Sequence, residues 1–278
     1  MTSEPRTPYQ QRALAANGQT LAITEYSTPG IARPPLLLLH GIGSRAISWW
    51  PVVDPLAAHF HLYALDLRGH GASTKPLTGY LLPDYAADLA AVIDALGLDC
   101  PRILGHSLGG LVALTWATHH PCRAAAIALE DTALRSQPET LQAFDGWLTL
   151  AALPVADAAA YYAREHPDWS PADCLRRAES ITATAQSVFA ELRADAEANL
   201  ANGGDRIAPL ANIHSPLLLL HGDLASGGMV VPDDAARLAM TLPQTRLVRV
   251  PGAGHAIHRD HPAAFLAAVI PFLAKTED

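Results

Sequence analysis

The sequence predicts an α/β protein: a doubly wound, mostly parallel sheet, led in by an antiparallel hairpin and interrupted by a helical insertion. Three observations point there. Strand-like and helix-like runs alternate along most of the chain. The heptapeptide PLLLLHG occurs twice, at 35–41 and 216–222, and four leucines between proline and glycine suit a strand buried on both faces of a parallel sheet. Finally, Gly105-His106-Ser107-Leu108-Gly109 places a G-x-S-x-G pattern at a strand-to-helix junction.

Taken in chain order, RALAANGQTLAITEYS reads as two alternating runs around the turn pair Asn17-Gly18, a hairpin. LLLLH (36–40) is a strand, PVVDPLAAHF ends a helix, HLYALD (61–66) is a strand, and DYAADLAAVIDALG (84–97) is an amphipathic helix closed by Gly97. RILGHS (102–107), LGGLVALTWATHH and AAAIALE (124–130) continue as strand, helix and strand. From Asp131 to about Ile213 alanine-rich helical pieces replace strands, and the sheet resumes with the second PLLLLHG, the helix DDAARLAMTL, the strand TRLVRV and a final helix through HPAAFLAAVIPFLA. The expected organisation is a core of residues 1–130 and 214–278 around an insertion, 131–213.

Bulk properties bound the function. A chain of 278 residues, 50% apolar, can fill one large core. The net charge of -8 comes with no basic run, so nucleic acid is not an expected partner and a highly anionic substrate is disfavoured, although a local arginine could still bind a carboxylate. Residues 1–10 hold an acid and two prolines and no apolar stretch, so neither a secretory signal nor a membrane span is expected there, and a cytoplasmic location is the default. Cys100, Cys122 and Cys174 have no metal-ligand spacing and read as free thiols. His258 and His261 follow His255 at three-residue steps with no Glu or Cys beside them, so neither a metal nor another cofactor is expected.

The pieces LLLLHGIG, LDLRGHGAS (65–73), GHSLGG (105–110) and VPGAGHAIHRDHP (250–262), in this order and spacing, resemble the α/β-hydrolase superfamily from about Arg12 to Ala274. The resemblance implies Ser107 as nucleophile on a strained turn, His255 as general base, and an oxyanion hole from the N–H groups of Ile42 and Leu108. His40 itself reads as a structural hydrogen bonder rather than a catalyst. The triad acid departs from the usual pattern, because its common position is Ala225 here. Glu130, at the end of a strand where some relatives carry the acid, and Asp223, just after Gly222, are the two candidates, with Asp131 the third choice.

A serine nucleophile implies attack on a carbonyl rather than on a carbon–halogen bond or an epoxide. The leading expectation is a cofactor-free serine hydrolase forming an acyl-enzyme with a small, fairly apolar ester or lactone. Alternatives are a carbon–carbon hydrolase of ring-cleavage type, a perhydrolase or haloperoxidase, and a non-catalytic binder of a small ligand. The insertion would cap the site, with Trp49, Trp147, Tyr161 and Tyr162, and beside them Trp50, Phe144 and Trp169, as candidate substrate contacts or cap core, whereas Arg164, Arg176 and Arg177 either meet a carboxylate or, the favoured reading, face water. Beyond a small-molecule substrate, a homodimer is the one partnership left open.

Overall fold

A computed structural model describes residues 4–275. Eight strands form one sheet: β1 (Tyr9–Ala16), β2 (Gln19–Tyr26), β3 (Pro35–Leu39), β4 (His61–Leu65), β5 (Arg102–His106), β6 (Ala126–Glu130), β7 (Leu217–His221) and β8 (Thr245–Arg249). Their order is β1-β2-β4-β3-β5-β6-β7-β8. β1 and β2 pair antiparallel, as do β2 and β4, and every later pair is parallel. The hairpin turns at Asn17 and Gly18, both at positive φ (49° and 69°), the conformation that matches a tight turn to strand twist. Both PLLLLHG copies are interior strands of the same sheet, their leucines buried.

Helices cover both faces. α1 (Trp50–Ala57) lies among the elements on one side, while α2 (Leu82–Ala95) and α3 (Leu108–His119) pack together on the other. Between β6 and β7 come α4 (Pro138–Ala151), α5 (Val155–Glu165), α6 (Pro171–Thr182) and α7 (Gln186–Ala201). Their Phe144, Ile181, Val188 and Phe189 join the same apolar cluster as α2 and α3, so the insertion is continuous with the core on that face. α8 (Pro232–Thr241) precedes β8. The final helix expected over HPAAFLAAVIPFLA is α10 (Pro262–Leu273), preceded by a short helical turn, α9 (Ile257–Asp260). Proline disfavours helical geometry in the residue before it, and His261 accordingly sits at φ −132°, ψ 54°. Among the described residues no helix is long and apolar enough to cross a membrane.

One buried ion pair ties the hairpin side to α2. Arg68 Nε and Nη2 each donate to Asp88 at 2.5 Å, and Asn17 Nδ2 donates to Asp88 Oδ1 at 2.9 Å. Both partners are almost wholly buried, at 6% and 2% side-chain exposure. Removing one partner strands the other charge out of water, so Asp88→Ala should lower unfolding free energy by about 3–5 kcal/mol in urea titrations; a loss under ~1 kcal/mol would mean the pair is hydrated.

Candidate active site

The site begins at the turn between β5 and α3. Ser107 has φ 51°, ψ −114°, a conformation an L-residue adopts only under constraint. Its N–H donates to Glu130 C=O at 3.0 Å, anchoring the turn to the neighbouring strand. Glycine on either side is a packing requirement: a Cβ at Gly105 would lie 2.5 Å from Gly109 C=O, and one at Gly109 would lie 2.1 Å from Leu39 C=O. The turn leaves the Leu108 N–H at the start of α3 with no acceptor among the described residues, and the Ile42 N–H likewise.

The Ile42 loop is held by two buried histidines. Leu67 N–H donates to His40 Nε2 at 3.0 Å, so His40 Nδ1–H donates to Gly41 C=O at 2.8 Å. Gly43 N–H donates to His70 Nε2 at 3.1 Å, and His70 Nδ1–H donates to Arg68 C=O at 2.9 Å. Both rings are therefore neutral, and burial pulls their pKa down to about 4 for His40 and about 3 for His70. His40 thus has the structural part expected of it, and His70 adds a second brace that sequence reasoning passed over.

The carboxylate beside His255 is Asp131. His255 Nδ1–H donates to Asp131 Oδ2 at 2.7 Å, and that oxygen also accepts the Met229 N–H at 2.8 Å, while Oδ1 accepts Gly222 N–H at 3.3 Å. The acid is fully buried, and Asp131 is at φ 42°, just past the end of β6. Neither carboxylate favoured from the sequence contacts His255 by a hydrogen bond. Glu130 is bound to His258, whose backbone N–H and Nδ1 lie 2.7 to 2.9 Å from its oxygens. Asp223 accepts from Arg249 Nε at 2.6 Å and Gly252 N–H at 2.8 Å, contacts that hold its pKa down to about 2. The second PLLLLHG thus contributes to the acid through the Gly222 N–H.

His106, Glu130 and His258 bring ligand-type atoms within 4.8 Å of one another. Both Glu130 oxygens are bonded to His258, and His106 Nε2–H donates to the His255 carbonyl at 3.0 Å, so these groups satisfy each other. The acid partner missing beside His258 in the sequence arrives from β6.

Ser107 and His255 share a cavity of about 910 Å³ roofed by the insertion, with Ile42, Trp147, Tyr161 and Tyr162 in its wall. A second, mostly apolar pocket of about 60 Å³ also borders Ser107, between Ile42, Leu108, Phe144 and Trp147. Trp49 lines neither. It is fully buried, with its ring 4.7 Å from that of His258, and its neighbour Trp50 lines the cavity instead. At the start of α1 the side chain facing the core and the one facing the site are adjacent in sequence, which pattern alone does not separate. Arg164 pairs with Glu165 at the surface as expected, whereas Arg176 and Arg177 line the cavity.

Residues 36–269 match the alpha/beta hydrolase family. The chain belongs to that family. It is 31% identical over 247 residues to the 2-(acetamidomethylene)succinate hydrolase of Mesorhizobium japonicum, covering 86% of this chain and 88% of that protein. It is 30% identical over 268 residues to the N-formylmaleamate deformylase of Pseudomonas putida, covering 94% and 95%. The crystal structure of an E-2-(acetamidomethylene)succinate hydrolase superposes with a TM-score of 0.82 at 25% identity, over 96% of this chain and all of that one.

The neutral histidines make the fold acid-sensitive. Above about pH 6.5 they are uncharged in both folded and unfolded chains. Below it the unfolded chain takes up protons that buried His40 and His70 refuse, so stability falls by about 1.4 kcal/mol per pH unit per ring, down to the lowered pKa of each. Urea midpoints should therefore drop between pH 7 and pH 5, with a shallower slope in His70→Gln; equal slopes would show that His70 titrates normally.

Proposed function

We propose that the protein is a serine hydrolase that works through an acyl-enzyme on a small acyl substrate, an ester, lactone or amide. The observation that carries this reading is the 2.7 Å contact between His255 Nδ1 and the buried Asp131, with Ser107 held on a strained turn in the same cavity. Nδ1–H bound to a carboxylate leaves the Nε2 lone pair free to act as base. Ser107 Oγ attacks the carbonyl as its proton passes to His255 Nε2, and the free Ile42 and Leu108 N–H groups receive the oxyanion. Collapse expels the leaving group, which takes the proton from His255. Water, deprotonated by the same ring, then releases the acid and restores Ser107.

The two relatives are named for acting on an acetamidomethylene succinate and a formylated maleamate, which supports widening the substrate from esters to acyl–nitrogen bonds. The 60 Å³ pocket beside Ser107 and both N–H donors suits a short acyl group of a few heavy atoms.

With p-nitrophenyl acetate, Ser107→Ala should abolish turnover and fluorophosphonate labelling together; a serine variant that still turns over would sink the acyl-enzyme. Asp131→Asn should lower kcat by about 10³–10⁴-fold, as expected when a histidine loses the carboxylate that fixes its tautomer, while Asp223→Asn stays within about twofold. The reverse ranking would return the acid to Asp223. Along a series of p-nitrophenyl esters, kcat/KM should fall from acetate to octanoate, and Phe144→Ala should move the optimum to longer chains; an unchanged profile would place the acyl group elsewhere.

A further inference from the structure

We propose that the substrate carries a carboxylate a few bonds from its scissile carbonyl, and that the Arg177 guanidinium on α6 binds it. This rests on the serine-hydrolase reading and specifies what that site takes. The cavity wall holds three arginines, Arg176, Arg177 and Arg259, and two already face acids. Arg176 pairs with Asp173 at 2.5 Å, and Arg259 with Asp260 at 2.9 Å while its guanidinium also lies 3.7 Å over the Trp169 ring. Among the described residues Arg177 has no carboxylate partner. Its one hydrogen bond, from Nη1, goes to the Gly43 carbonyl, and the Tyr162 ring lies 5.3 Å away. Burial without a counter-charge pulls its pKa down, the opposite of what a structural ion pair does.

A guanidinium kept in a cavity wall with donors left over is suited to a planar carboxylate, which it can bind through two parallel N–H bonds. Its contact with Gly43 places it one residue beyond Ile42, whose N–H is a candidate oxyanion donor, so the anion lies near the reacting carbonyl and the substrate is compact. The sequence pointed to a fairly apolar substrate. The small pocket keeps that character for the acyl group, and Arg177 gives the large cavity an anionic occupant.

The test compares matched pairs: 4-acetoxybenzoate with its methyl ester, and mono-4-nitrophenyl succinate with 4-nitrophenyl butyrate. In wild type at least one carboxylate should be preferred tenfold or more in kcat/KM, mainly through KM. Arg177→Met should erase the preference and weaken competitive inhibition by succinate at least tenfold, and Arg177→Lys should restore part of both. If neutral partners turn over equally well, or Arg177→Met keeps the preference, the proposal falls while the hydrolase reading stands. If no ester turns over but succinate raises the melting temperature of wild type and not of Arg177→Met, the anion site stands and the hydrolase reading falls.

Discussion

The backbone turn at Ser107 is the constraint on which the site depends. Holding a non-glycine residue at φ 51° costs about 1–3 kcal/mol, and the fold meets that cost with contacts that admit no larger side chain at Gly105 or Gly109. Three consequences follow from one turn. The serine stands at the end of a central strand, the next N–H opens a helix without an acceptor, and the Ser107 N–H grips Glu130 C=O in the neighbouring strand. That last bond fixes the end of β6 relative to Ser107, and Asp131 is the very next residue.

Around this turn the histidines divide into two kinds. His40 and His70 are buried and His106 half-buried, with a ring N–H donating to a backbone carbonyl in each case, and their lowered pKa values keep them uncharged. They brace backbone: two hold the Ile42 loop, and the third holds the carbonyl of His255 itself. His255 differs in having a carboxylate on one ring nitrogen, the arrangement that the proposed general base requires. A positively charged His106 would instead repel both His255 and His258, so its neutrality is part of the design of the site.

The fold and the strained turn at Ser107 could be read from sequence because both rest on local patterns. Leucine runs, the Asn17-Gly18 turn and the glycines flanking Ser107 each report a short-range requirement. Sequence reasoning puts the carboxylate that contacts His255 third of three, one residue from its first choice, for a reason of the same kind. Glu130 and Asp131 are adjacent carboxylates at a buried strand end, and which one reaches His255 depends on the positive φ of Asp131, which redirects its side chain out of the strand's alternation. A signal was available: Asp enters the left-handed region more readily than Glu, and here it stands where a strand stops. The two acids take two histidines three residues apart, Asp131 with His255 and Glu130 with His258, so the pair Glu-Asp matches the pair His-x-x-His. Trp49 and Trp50 pose the same difficulty, since neighbours on a tightening helix start face opposite ways.

The helical insertion bears on the chemistry because of where it is tied down. Arg45 meets Glu179 at 2.8 Å, Ala185 N–H donates to Gly69 C=O at 2.9 Å, Tyr80 N–H donates to Glu191 at 2.9 Å, and Arg177 grips Gly43. All four ties join α6, α7 or the link between them to the loops after β3 and β4, the loops that also carry Ile42 and its bracing histidine. The apolar cluster runs through the same junction by way of Ile181 and Phe189. An insertion fastened there is no freely swinging lid. Under the proposed function, substrate binding by α6 and alignment of the carbonyl are coupled through the contact of Arg177 with the Gly43 carbonyl.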